Sequence, residues 1–472
     1  FLVVEGKEEQ TRSVEIERPM HRHCKDWRCA TSMTPQKIDS HGFGVYTAEN
    51  HLDLIDHPFE ISDFQELEFI VAGVPHSIVV VGDVQADLAR LASDVAQVCT
   101  GHVKFFGEFP VMQRYVFILN VLGKGYGGIE HRSSSTLLCA RGDLPVLGEE
   151  KQSEEYRTLL GLFSHEYFHL WNVKRIKPEV FTNPDLTAEV YTRQLWVFEG
   201  ITSYYDNLNL VRNEIISDSD YLNILQKDIN TLLQNPGTYI QTLEESSFDA
   251  WIKFYQPDDN SHNATVSYYL KGSLVALVLD LLIITKSRRK QSLADVMQVL
   301  WHQYGKTGLG LPENYFERIT YEVTGEDYSE FFDLALRTTE PLPLQELLLE
   351  VGLVYKNKPT EFLDNLGLKL AAEQNKLMVR SVINGSVMEH AGLAPNDNII
   401  AVNNIAVNLT NIENTIKRFQ VNESFNLQVF RNELLIEIVV MNPQTQRMIC
   451  ELEVAKNLTE NQSLNMHKWL HA

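Results

Sequence analysis

Residues 164–170 read SHEYFHL, and this stretch decides the fold. It lies within a segment, about 153–174, whose apolar residues recur at helical spacing. On a helix His165 and His169, four positions apart, project from one face, one above the other. Two histidines need that spacing to share a tetrahedral Zn2+. Glu166 follows the first histidine and projects beside the metal, where it can take a proton from water. A catalytic zinc also needs a third protein ligand and one open position. Residues 196–205, WVFEGITSYY, offer Glu199 on the next long helix, 30 positions after His169. Among Trp196, Val197, Phe198 and Ile201 an unpaired carboxylate would be costly, and a metal removes that cost. Gly200 predicts close packing between the two helices. The expected centre is one Zn2+ per chain on His165, His169 and Glu199, with Glu166 as general base.

Outward from this centre, helical periodicity continues at about 188–212, 219–234, 264–286, 292–304, 313–323 and 328–337. The stretch 264–286 is apolar almost all round and predicts a central buried helix. Ser292 with Asp295 predicts a capping box opening the next one. Upstream, apolar runs at 67–71, 78–81, 115–121 and 135–140, with a helical pattern at 84–98, predict a small mixed sheet and one crossing helix. Residues 1–57 are polar and weakly periodic, which predicts peripheral structure or the remnant of a longer N-terminal domain. Short strands return after residue 360. The expected architecture is α+β: an N-terminal remnant or extension (1–57), a catalytic domain (58–354), a small β-rich domain (360–445) and a C-terminal tail (446–472).

The chain has 472 residues, 41 Lys plus Arg and 63 Asp plus Glu, a net charge of −22. Residues 355–472 carry 11 basic and 12 acidic side chains, so nearly all the surplus lies in the first 354 residues. Such a surplus repels phosphate backbones and argues against nucleic acid as a partner. The longest apolar run, 274–284, is interrupted by Asp280 and is shorter than a bilayer requires, so no transmembrane segment is expected. Five scattered cysteines predict no disulfide framework and point to a reducing compartment, the cytoplasm ahead of the periplasm or exterior. Cys24 and Cys29, behind His21 and His23, have an unusual spacing for a metal site and no second pair. A start at Phe1 predicts a processed or truncated product.

Three separated motifs, HEYFHLWNVKRIKP, LWVFEGITSYY and SYYLKGSLVALVLDL, resemble the glycyl aminopeptidase family of zinc metallopeptidases. The resemblance runs from about Asp53 to Asn442. It implies a thermolysin-like catalytic domain followed by a PDZ domain, and a preference for peptides with small N-terminal residues such as Gly or Ala. In SYYLKG it places Tyr269 as the hydrogen-bond donor to the oxyanion, with Tyr268 as the competing assignment. GGIEH, residues 127–131, resembles the G-x-M-E-N motif of zinc exopeptidases and places Glu130 where a carboxylate would pair with the substrate's free α-ammonium group. Ile129 and His131 depart from that motif. Residues 385–404, GSVMEHAGLAPNDNIIAVNN, resemble the segment shared by PDZ domains, with Asn396 and Asn404 where that family has Gly. A loop at Leu366, Gly367 and Leu368 is then expected to present backbone N–H groups to a peptide ligand. The alternatives are an endopeptidase of the same fold, or a catalytically silent adaptor acting through the PDZ domain.

Overall fold

The computed structural model describes residues 2–444 and 446–472. Phe1 and Thr445, the outer limits of two expected segments, lie outside them. The central sheet has five strands in the spatial order Gln65–Val71, Val74–Val81, Tyr115–Leu122, Ser134–Ala140, Gly127–Glu130. The three inner strands run parallel, and each edge strand is antiparallel to its neighbour. Tyr115–Leu122 is covered on both faces: Phe117 and Leu119 enter the main core, while Val116 and Ile118 meet Ala30 and Phe64 behind the sheet. Two-sided burial explains its continuous apolar run. The crossing helix, Leu88–Phe106, starts at Asp87, whose side chain accepts from the Arg90 N–H, and ends at Gly107 in the left-handed region (φ +78°).

The helical half packs around Tyr268–Lys286, the expected central helix. By length and composition alone, residues 261–286 could cross a membrane, yet most of the stretch is buried against neighbouring elements. Its one acidic residue, Asp280, accepts from the Tyr204 O–H (2.6 Å) and the Leu293 N–H (2.7 Å), which offsets its burial. Ser292 and Asp295 form the capping box.

Two helices are shorter than their periodicity predicts. Glu154–Phe168 stops at His169 and does not reach 174, because the chain turns and the Lys174 N–H bonds to the His169 carbonyl. Apolar residues beyond the turn, Leu170, Trp171 and Ile176, are buried without being helical. The stretch 188–195 is likewise largely non-helical, and the helix begins with a π-type turn, Trp196–Gly200, continued by Ile201–Arg212.

The N-terminal segment is more ordered than its weak periodicity suggests. Arg12–Ile16, Gly44–Ala48 and Thr34–Ile38 form an antiparallel sheet over Met33, Tyr46, Ala48 and Leu54. Every residue of Thr34–Ile38 is exposed, so that strand shows no inside–outside alternation.

Residues 362–441 form a second unit with its own core, including Leu366, Val379, Met388, Ile399 and Leu427. Its antiparallel sheet has the order Leu368–Glu373, Lys376–Val382, Asn398–Val402, Ser424–Arg431, Leu434–Met441. Asn396 (φ +68°) and Asn404 (φ +65°) hold left-handed turns, a conformation Asn tolerates. The segment expected as a tail instead returns to the first domain. Met448–Val454 pairs with Leu353–Pro359, and the Asn230 amide brackets the Cys450 backbone, donating to its O (2.9 Å) and accepting from its N–H (2.6 Å). Helix Glu460–His471 then buries Trp469, whose Nε1 donates to the Tyr204 hydroxyl at 3.0 Å.

Candidate active site

His165 lies in the last turn of Glu154–Phe168, and His169 is the residue that caps it. Both Nε2 atoms face one carboxylate oxygen: Glu199 Oε2 lies 3.4 Å from His165 and 3.2 Å from His169. The rings are 4.6 Å apart and nearly perpendicular. The opposite ring nitrogens are held. His165 Nδ1 lies 3.2 Å from Asp206 Oδ2, and His169 Nδ1 lies 2.7 Å from the Asn172 carbonyl. With Nδ1–H donating in both, each Nε2 directs a lone pair at the same point as Glu199. These three groups could hold a metal ion.

Glu199 projects from the π-type turn, which neighbouring residues fix in place. Asn172 Nδ2 donates to the Val197 carbonyl (3.0 Å) and to Thr202 Oγ1 (3.2 Å), tying the loop after the motif to this turn. Gly200 meets the core helix: a Cβ there would lie 2.6 Å from Gly272 Cα. The close approach allowed by Gly200 is therefore to Tyr268–Lys286, not to the motif helix as the spacing suggested. Burial pushes the Glu199 carboxyl up, but His169 and His165 outweigh it and hold the group below the usual carboxylate range.

Glu166 is buried, and its Oε2 has no hydrogen-bond partner among the described residues. Burial pushes its carboxyl up to about 7; Glu130 and Glu199 add to the rise, and His165 and His169 oppose it. The edge strand Gly127–Glu130 runs along this carboxylate so closely that a Cβ on Gly128 would lie 2.0 Å from Oε1, and any side chain there would displace the Glu166 carboxylate. Glu130 comes with that strand. One oxygen each of Glu130 and Glu166 and one nitrogen of His169 lie within 4.8 Å of one another. Behind Glu130, Asp56 accepts from the Arg132 N–H (2.8 Å) and from Lys174 Nζ (2.8 Å), pinning the strand's end to the loop after the motif.

Of the two adjacent tyrosines, Tyr268 is buried and packs on Phe254, whereas half-buried Tyr269 reaches the motif, its ring 6.2 Å from that of His165. Burial, with Glu199 nearby, raises the Tyr269 phenol far above its ordinary value, so it stays a proton donor. Leu366 and Leu368 belong to the second core, with the buried Gly367 between them. Leu366 ends a short helix, the Gly367 N–H bonds back to the Asp364 carbonyl (2.9 Å), and Leu368 opens an edge strand. Sequence reasoning missed Asp206, Asn172 and Tyr255. Asp206 carried one usable signal: it lies seven residues after Glu199, two turns along the same helix.

Residues 158–275 match the M61 glycyl aminopeptidase family, and residues 1–63 match the Peptidase M61 N-terminal domain. Among solved structures, an aminopeptidase N family protein from Idiomarina loihiensis is 34% identical, with a TM-score of 0.92 over 99% of this chain and 80% of that one. An M1 zinc metallopeptidase from Deinococcus radiodurans is 14% identical, with a TM-score of 0.43 over 67% of this chain and 63% of that one, too slight a likeness to carry an argument. No curated protein matches. Family and fold together define a metallopeptidase of the aminopeptidase class. The chain belongs to the M61 glycyl aminopeptidase family.

Proposed function

We propose that this chain is a zinc-dependent aminopeptidase that releases the N-terminal residue of peptides, with a preference for Gly or Ala. The observation that carries the reading is the convergence of His165, His169 and Glu199. Donors about 2.0–2.1 Å from a tetrahedral Zn2+ lie roughly 3.3–3.4 Å apart, and the two Nε2 atoms lie 3.4 and 3.2 Å from Glu199 Oε2. Zn2+ bound there supplies a Lewis acid that polarises the scissile carbonyl and acidifies water.

The protein's own groups do the rest. Glu166, buried and unpartnered at Oε2, takes the proton of the attacking water and passes it to the leaving amine nitrogen. The Tyr269 hydroxyl donates to the oxyanion that develops at the carbonyl. Glu130 pairs with the substrate's α-ammonium group and fixes the scissile bond one residue from the end. Three carboxylates around one centre also favour entry of a cationic N-terminus. The preference for Gly is supported by the family's description as glycyl aminopeptidases, and Ala is the next smallest residue. For the second unit, the 385–404 motif and the open edge strand Leu368–Glu373 support a PDZ domain taking a peptide strand.

The test compares Gly- and Ala-initiated dipeptides with their N-acetylated forms, alongside metal analysis. One zinc per chain and cleavage of the free forms alone are expected. Equal cleavage of both forms would make the protein an endopeptidase and remove Glu130 from its role.

A further inference from the structure

The C-terminal β unit touches the first domain at the segment just before Tyr269. Asn263 is 5% exposed, and both ends of its amide are committed across the junction. Its Nδ2 donates to the Val382 carbonyl at 2.9 Å, and its Oδ1 accepts from the Asn384 N–H at 2.9 Å. The side chain thus pairs with the β unit's backbone at one fixed register. A second contact lies four residues earlier, where Asn396 Nδ2 donates to Asp259 Oδ2 at 2.9 Å. The gripped stretch is internally stiff: Asp258 Oδ1 accepts from the Asn260 N–H (2.9 Å) and the Ser261 hydroxyl (3.0 Å). Three residues before Asp258 stands Tyr255. Its hydroxyl lies 3.1 Å from that of Tyr269 and 3.2 Å from that of Tyr268, although the ring itself is largely exposed.

We propose that Asn263 and Tyr255 are positioning residues through which the C-terminal β unit sets the Tyr269 hydroxyl for the transition state. The inference rests on the reading of Tyr269 as oxyanion donor. Upstream, Tyr255 caps the π-type turn Ala250–Phe254, its N–H bonded to the Ala250 carbonyl at 3.0 Å, but its exposed ring is not fixed by burial. Here the residues that follow it are held by a folded unit with its own core, so the loop and the hydroxyl it offers to Tyr269 are held too. A peptide seated on that unit, or its displacement, would reach the active site by this route.

The test uses the zinc-loaded full chain, measuring kcat, KM and the Ki of a phosphinic dipeptide, whose anionic oxygen mimics the oxyanion. Asn263→Ala cuts the grip, and Tyr255→Phe removes one hydroxyl without touching the junction. Each is expected to lower kcat and raise the phosphinate Ki about fivefold to tenfold, the scale of one hydrogen bond, with KM within about twofold. Ki and KM are independent of the fraction of folded enzyme, so partial unfolding does not imitate this result. In a Tyr269→Phe background neither substitution should raise Ki further. Parental Ki for both single variants, or an equal rise in Ki in the Tyr269→Phe background, would overturn the proposal. A parental kcat and Ki for Tyr269→Phe alone would instead remove the oxyanion role on which it rests.

Discussion

Gly200 and Gly272 face each other where the Glu199 turn crosses the core helix, and a Cβ on Gly272 would lie 2.9 Å from Gly200 Cα. The contact is backbone to backbone, so neither side can yield by changing a rotamer. Gly272→Ala pushes the π-type turn away from the core helix and Glu199 with it. The expected cost is about 1–3 kcal/mol of stability, with zinc falling below one per chain. Urea unfolding and metal analysis on the same preparation check both.

Asp206 orients the imidazole of His165 through Nδ1, and its other oxygen accepts from Asn207 Nδ2 at 2.7 Å. Asp206→Asn keeps the volume and removes the charge behind the ligand. Zinc affinity should fall about 10- to 100-fold, the usual cost of losing such a partner, while the fold persists. Competition with a chelator measures it.

The core of this site was legible because its chemistry is local. Two histidines one helical turn apart and a lone Glu in an apolar run are visible without coordinates. Asp206 was legible only through its spacing, two turns after Glu199, and its contact with His165 Nδ1 is a tertiary one. The end of the motif helix at His169 was hidden by continuing apolar residues, Leu170, Trp171 and Ile176, which are buried in a turn. Tyr255 carried no signal, since its hydroxyl matters only through a tertiary contact. The return of residues 446–472 rests on long-range pairing with Asn230, Gln226 and Tyr204, which no periodicity encodes.

Trp469 anchors that return. Trp469→Ala removes a fully buried ring and its bond to Tyr204, and should cost about 3–5 kcal/mol. Denaturant unfolding followed by circular dichroism should show the loss; an unchanged midpoint would mean that the helix is not docked in solution.

Asp56 links stability to acid. Burial pushes its carboxyl up, but the His131 ring, Lys174 and the Arg132 N–H outweigh it and hold the group well below the usual carboxylate range. A carboxyl depressed in the folded state stabilises fully above its unfolded value, about 3.9, and that contribution fades as pH falls below it. Asp56→Asn should lower stability at pH 7 and flatten its decline between about pH 4 and pH 2. Thermal unfolding across that range, in the parent and the variant, checks the sign.

The most direct test of the central claim is a paired measurement on Glu166→Gln: zinc content and turnover of a free Gly-initiated dipeptide. The substitution keeps shape and leaves His165, His169 and Glu199 in place, so one zinc per chain should remain. Turnover should fall by about 10²–10⁴-fold, the worth of a positioned general base. A zinc-loaded Glu166→Gln protein that cleaves the dipeptide at the parental rate would contradict the account.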